Sequence, residues 1–315
     1  MKLENGDFIA DLLRWKKAYI SHIKGLSYSN NTISLYNRVI EQFIEYSREF
    51  QDEMGIKEVK GAYITGFLSF IDSNNKKLSK STKETYLKAI RAFFTFISDN
   101  NDEFYTFERY FKNIKIANSS KKEDKIEYLN DDEVERLLNI LEKSKKRDNY
   151  IVYRNALLVK LMLYAGLRIS EALRVKLRDF ESISDKTYRI RIIAKGNKEQ
   201  FAYISKSIIN DELTYFKENI DDNEYIMRTR TGKMLDRTEA FKIIKNIYRK
   251  ANIFKQGLHI LRHTLAMRLT KRGVDPIRIQ KILRHSNINT TMIYAKAEES
   301  DIVESLEKNE RWDNK

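Results

Sequence analysis

Between His259 and Tyr294 the chain is made to double back on itself. Gly273 stops one helix in the left-handed region, Asp275 caps the next, and Pro276 occupies its first turn. The short helix that follows takes its apolar positions from Ile277, Ile279, Ile282 and Leu283. A second turn, from His285 to Asn289, leads into another short helix carrying Tyr294, so His285 and Tyr294 can face one pocket. Upstream, His259 and Arg262 lie three apart and share a helical face, which sets an imidazole beside a guanidinium. That pair suits an oxyanion, and a phosphate above all. His259 and His263 also have zinc-ligand spacing, but no glutamate lies between them and the chain has no cysteine, so no metal is expected. The doubled-back segment is also compatible with a helix-turn-helix, with residues 277–284 or 290–297 in a DNA groove.

The rest of the chain decides between these readings. Its 315 residues suffice for two domains, each with its own core, and 42% hydrophobic content argues for a folded protein despite 33% charged residues. The formal charge is +14. Residues 1–116 carry 18 basic and 15 acidic side chains, and residues 117–315 carry 41 and 30, so the surplus sits in the second half. Such a surplus concentrates a polyanion, and nucleic acid is the commonest one. Cysteine is absent, no apolar run approaches the roughly 18–20 residues of a membrane span, and Met1–Asp7 lacks a signal peptide's apolar core. A cytoplasmic protein with no membrane partner is expected.

Taken in order, helical periodicity appears at Phe8, Leu12, Trp15, Tyr19 and Ile23, then at Tyr36, Val39, Ile40, Phe43 and Ile44. A third helix carries Ile64, Phe67, Leu68 and Ile71, and a fourth, with Ser81 and Glu84 as its capping box, carries Leu87, Ile90, Phe93, Phe94 and Ile97. These make a four-helix bundle over residues 1–116 with no catalytic set of its own. Residues 117–128 read as a linker, and residues 129–315 as a second domain. That domain opens on the cap pair Asn130 and Glu133, with Leu129 stapling to Val134. A strongly buried helix then runs to a stop at Gly166. Arg168 follows directly, with Ser170 as the cap of the next helix, and an arginine held between two helices suits a fixed phosphate clamp. From Tyr188 the period changes to two, and Lys195-Gly196-Asn197-Lys198 joins two strands as a β-hairpin with Lys195 at its tip. Asp236 and Glu239 cap the helix leading into the opening stretch. Beyond Tyr294, Ile302, Val303 and Leu306 give a tail helix over about 300–311 one apolar face to bury.

Arg168, Lys195, His259, Arg262, His285 and Tyr294 are thus phosphate-binding and proton-transfer groups plus a potential nucleophile, on separate elements. Residues 128–297 resemble the catalytic domain of the tyrosine recombinases, the phage integrase and Xer family. Ala165-Gly166-Leu167-Arg168-Ile169-Ser170-Glu171 is similar to its first-arginine motif, His259-Ile260-Leu261-Arg262-His263-Thr264 to its His-x-x-Arg box, and Leu283-Arg284-His285 through Tyr294 to its final histidine and nucleophile. Arg284 departs from the family pattern, which has glycine there, and adds a cation that can touch phosphate.

The resemblance implies a mainly α (α+β) protein. An N-terminal SAM-like, four-helix core-binding bundle is joined to a mostly helical catalytic domain with a small antiparallel hairpin sheet, the two halves clamping DNA in a C shape. It implies a site-specific recombinase in which Arg168 and Arg262 neutralise the phosphate and His259 and His285 donate to it, His259 also taking the proton of Tyr294. Lys195 protonates the leaving oxygen and Glu171 supports a neighbouring group. Neither cofactor nor metal is needed. The partners implied are a double-stranded recombination site and a homotetramer on two duplexes, held by the tail helix, with room for an accessory or activating protein. Chromosome dimer resolution, element integration or excision, and inversion all use this chemistry. A type IB-like topoisomerase would use the same groups, whereas a helix-turn-helix regulator would leave Arg168, Lys195 and Tyr294 without a shared purpose.

Overall fold

A computed structural model describes residues 1–50, 54–74, 78–117, 126–146, 149–194 and 198–294. The chain divides into two compact units, Met1–Glu123 and Asp124–Lys315.

The first unit is built on α1 (Phe8–Gly25), α2 (Asn30–Ser47), α3 (Gly61–Asn74) and α4 (Lys80–Asn100), followed by the single turn α5 (Glu108–Phe111). Asp7, Ser29 and Ser79 each accept a backbone N–H at the start of α1, α2 and α4. The cap of α4 is therefore Ser79 and not Ser81. Leu78 packs against the core while its N–H is held by Asp72 Oδ1 at 3.0 Å, which starts the helix two residues before the expected box. Trp15, Phe43, Phe67, Phe93 and Phe94 fill the centre. Phe43 meets Phe67 and Phe94 edge-on at 5.1 and 5.6 Å, contacts worth about 0.5–1.5 kcal/mol each beyond their burial. The Trp15 indole N–H donates to Leu3 O at 3.0 Å, which satisfies the one polar atom of that side chain.

The second unit runs α6 (Asp131–Lys145), α7 (Tyr150–Tyr164), α8 (Ile169–Ala172), β1 (Phe180–Ser184), β2 (Thr187–Ile193), β3 (Glu199–Ser205), α9 (Lys206–Asn219), α10 (Arg237–Lys250), α11 (His259–Lys271), α12 (Pro276–Leu283) and α13 (Asn289–Met292). Every residue from Ala156 to Leu163 is buried, so α7 is packed on all sides and forms the axis of this unit. Lys160 is among them. It pairs with Glu212 of α9 at 2.8 Å, and Lys145 of α6 reaches the same carboxylate at 2.8 Å, so three helices share one buried charge cluster. Glu142 also reaches Lys145 and Lys160, at 2.9 and 3.1 Å, so removing Glu212 would leave both lysines on the half-exposed Glu142 carboxylate and lower the melting temperature.

The sheet is antiparallel in the order β1-β2-β3, with Ile190 opposite Ala202 and Ile193 opposite Glu199. Tyr188, Ile190 and Ile192 face inward, as their alternation requires. The hairpin is thus joined by a third strand that the alternation did not reveal, since only Phe180 of β1 is even partly buried. In α12 only Ile279 and Leu283 are buried, whereas Ile277 and Ile282 are 56% and 40% exposed. A short helix lying on α11 can cover only one narrow face. The tail helix expected at about 300–311 lies outside the described residues. Among the described residues no helix is long and apolar enough to cross a membrane.

Candidate active site

The site begins where α7 ends. Gly166 takes φ +60°, and a Cβ on it would stand 2.9 Å from Leu283 Cδ2 and 3.0 Å from Leu265 Cδ2. Both the turn and the close approach of α11 and α12 therefore demand glycine. Two residues on, Arg168 occupies the N-cap position of α8. Its own N–H donates to Glu171 Oε2 at 2.8 Å and its Nη1 to Glu171 Oε1 at 2.7 Å. Ser170 lies inside α8, because the helix starts two residues earlier at Arg168, whose own N–H is taken by the Glu171 carboxylate reaching back.

Arg262, on the first turn of α11, is 4% exposed. Its two Nη atoms donate to the carbonyls of Gly166 and Leu283, which ties the turn after α7 to the end of α12. Arg168 Nη2 donates to the carbonyl of Arg284 at 3.1 Å. Arg284 itself takes φ +55° and ψ +45° and closes α12 with the paired bonds of a Schellman turn, Arg284 N–H to Lys281 O at 3.1 Å and His285 N–H to Gln280 O at 3.0 Å. A side chain in that left-handed position costs about 1–2 kcal/mol relative to glycine. The Arg284 guanidinium turns inward, reaching Glu171 Oε2 and the Gly166 carbonyl at 3.0 Å each. Three guanidinium groups thus converge with one carboxylate, leaving an excess of two positive charges. Burial, then Arg168 and Arg284, pull Arg262 down to about 9. It stays cationic at neutral pH, but with a strong demand for an anion.

The histidines surround this cluster. His285 Nδ1 lies 2.8 Å from Thr291 Oγ1, and the pKa of His259 is lowered by burial and then by Arg237, Arg262 and Arg168. Tyr294, placed just after α13, is 4% exposed and packs with Ala266, Ile279 and Leu283. Its Oη lies 2.5 Å from Nδ1 of His263, a residue the sequence had marked only as a zinc-spaced partner of His259. Burial, His259 and Arg262 lower the pKa of His263, so it is a neutral imidazole free to accept the phenol proton. Burial raises the phenol and Arg262 opposes that rise, so Tyr294 is protonated at rest. Lys195 lies outside the described residues. The strand ends that flank it are joined by Ala194 N–H donating to Lys198 O at 2.8 Å, and Ile193 lines the same groove of about 340 Å³ as Glu171.

His285 is held at about 4 by burial first and then by Arg262, Arg168, His263 and Arg284, against an ordinary 6.5. Below 6.5 the unfolded chain takes up a proton that the folded one refuses, so stability fully present above that pH is lost on acidification toward 4. The melting temperature should be lower at about pH 5 than at about pH 7.5, with a shallower decline in His285→Asn; an unchanged slope in the variant would remove His285 as a cause.

Taken together, the cluster can neutralise the non-bridging oxygens of a phosphodiester while a phenol stands beside it, the chemistry of a DNA strand-transfer enzyme. Comparison with known proteins gives this class a family. Residues 127–301 match the model of the phage integrase family, and residues 17–101 match that of the phage integrase N-terminal SAM-like domain. The tyrosine recombinase XerH of Campylobacter jejuni is 31% identical over 285 residues, spanning 89% of this chain and 77% of that protein. XerH of Helicobacter pylori is 26% identical over 300 residues, 92% of this chain and 81% of its own. A crystal structure of XerH bound to a palindromic difH substrate, a post-cleavage complex, matches with a TM-score of 0.81 and 25% identity over 97% of this chain and 98% of that one. The chain belongs to the phage integrase family, the tyrosine site-specific recombinases that break and rejoin DNA strands.

Proposed function

We propose that Arg168, Lys195, His259, Arg262, His285 and Tyr294, supported by Glu171, carry out strand cleavage and rejoining at a duplex recombination site. The observation that carries this reading is the meeting of Arg168 and Arg262 at the carbonyls of residues 166 and 283–284, with His285 next in the chain and Tyr294 packed on Leu283 from just beyond α13. The two arginines neutralise the charge that gathers on the phosphate as it is attacked, and His259 and His285 add donors. Tyr294 Oη bonds to phosphorus and the bond to the 5′ oxygen breaks, leaving a 3′-phosphotyrosine. We assign the phenol proton to His263, the imidazole within reach of Oη, and keep His259 as a donor to phosphate. Lys195 protonates the departing 5′ oxygen. The phosphotyrosyl link conserves the bond energy, so a 5′-hydroxyl from another strand can reverse the step without nucleotide or metal.

Exchange between two duplexes through a four-way junction calls for four such sites, hence a tetramer on DNA in the cytoplasm. We assign residues 1–116 to clamping the duplex through phosphate contacts, and the tail at about 300–311 to binding a neighbouring subunit. An accessory protein that sets strand order fits the same scheme. Deleting the tail should leave binding to a single site unchanged but weaken paired-site complexes on a native gel; undiminished complexes would refute its role.

A nicked suicide duplex, which loses its 5′-hydroxyl fragment by diffusion after cleavage, tests the chemistry. The wild type should accumulate a covalent protein–DNA adduct on duplexes carrying its own site. Efficient relaxation of plasmids that lack any site would favour the topoisomerase reading instead.

A further inference from the structure

We infer that Arg284 is a positioning residue for the cleavage reaction: it holds Glu171 away from full pairing with Arg168 and so keeps the Arg168 charge available to the phosphate. The inference rests on the catalytic reading above and concerns the one position where the chain replaces the family's glycine.

Three observations carry it. The position is left-handed, which favours glycine, yet an arginine occupies it and its side chain is only 5% exposed, so it is built inward and not left in solvent. Both Nη atoms are already engaged, Nη1 donating to Ile282 O at 2.9 Å and Nη2 to Gly166 O and Glu171 Oε2 at 3.0 Å each, while Nε is buried away from solvent without a partner. With both ends of the fork committed to the protein, it is not a further phosphate ligand. Finally, Glu171 is the sole carboxylate paired with Arg168 among the described residues, and its side chain is 5% exposed. It divides its oxygens, Oε1 to Arg168 Nη1 at 2.7 Å and Oε2 to Arg168 N–H and Arg284.

Without Arg284, Glu171 would have Arg168 as its one ion-pair partner among the described residues. With Arg284 absent, Glu171 would neutralise Arg168, the most exposed of the three guanidinium groups at 36% for its side chain and the one best placed to meet DNA. With Arg284 present the negative charge is shared, and Arg168 is oriented by Glu171 without being quenched by it. The same fork fixes the Gly166 carbonyl, to which Arg262 also donates, so one side chain sets both arginines.

The test is a set of single-turnover rates of adduct formation on the nicked duplex, at saturating DNA, for wild type, Arg284→Met, Glu171→Gln and the double variant. Arg284→Met should slow the reaction about 30-fold with unchanged DNA affinity, and adding Glu171→Gln should recover about fivefold or more of that loss. A role confined to folding, or a direct contact of Arg284 with phosphate, would give no recovery, and that result would overturn the inference, as would an undiminished rate in Arg284→Met. Should Arg284→Met fail to fold by thermal unfolding, Arg284→Gly, which suits the left-handed turn, carries the same comparison. A wild type that forms no adduct would overturn the catalytic reading and this inference with it, whereas a wild-type adduct without recovery overturns the inference alone.

Discussion

Replacing Tyr294 by phenylalanine should abolish the covalent adduct on a nicked duplex, lowering its rate of formation roughly 10⁴-fold or more, while DNA affinity changes by no more than about twofold. The expectation rests on how the residue is held. Its ring packs with Ala266, Ile279 and Leu283, all buried, and phenylalanine keeps every one of those contacts. Only Oη is lost, together with its hydrogen bond to His263, which changes stability by about 1 kcal/mol. The fold survives, so a missing adduct reports on chemistry. Binding survives as well, because affinity for a duplex is spread over many phosphate contacts to which a buried phenol adds little. An adduct that persists in Tyr294→Phe would mean that another of the 18 tyrosines, or a different kind of side chain, attacks the phosphate.

Much of the architecture that presents this phenol was legible because it is encoded locally. The capping boxes at Asn130 with Glu133 and at Asp236 with Glu239, the stops at Gly166 and Gly273, and the Asp275-Pro276 start of α12 all stand where the residue types put them. What escaped was encoded by packing. Strand β1 has four exposed residues in five and so carries no alternation for a sequence to display; it exists because β2 offers it an edge. Ser170 looked like a cap because serine caps helices, but Glu171 reached back first. His263 lies 31 residues from Tyr294, and its hydrogen bond depends on α12 folding against α11, which no local signal announces. Arg284 was visible as a departure from a family pattern. That it would turn inward depends on acceptors more than a hundred residues away, the Gly166 carbonyl and Glu171, which no local signal announces. Lys195 and the tail at about 300–311 remain readings of the sequence and of family resemblance.

Arg262→Ala should lower the rate of adduct formation by about 10³-fold and also weaken the fold, whereas Arg262→Lys should fold nearly as well yet remain about 10²-fold slow. The two losses have different origins. At 4% exposure, Arg262 serves the Gly166 and Leu283 carbonyls, and alanine leaves the Leu283 carbonyl without that donor, at about 1–3 kcal/mol, while the Gly166 carbonyl keeps Arg284 as its partner. Part of that cost is returned, because removing Arg262 also removes a buried charge whose pKa is pulled down to about 9 by burial first and then by Arg168 and Arg284. The net effect on the melting temperature is therefore smaller than the lost hydrogen bonds suggest. Lysine keeps the charge but is a single ammonium on a flexible stem; it cannot hold two carbonyls and a phosphate oxygen in one plane as a guanidinium does. The measurement is adduct formation and binding on the same nicked duplex, with unfolding followed separately. If binding falls in step with cleavage, Arg262 acts as one more phosphate contact along the duplex, and the transition-state role assigned to it fails. If cleavage collapses while binding holds, the negative counter-charge that Arg262 lacks in the resting protein is supplied by the phosphate under attack.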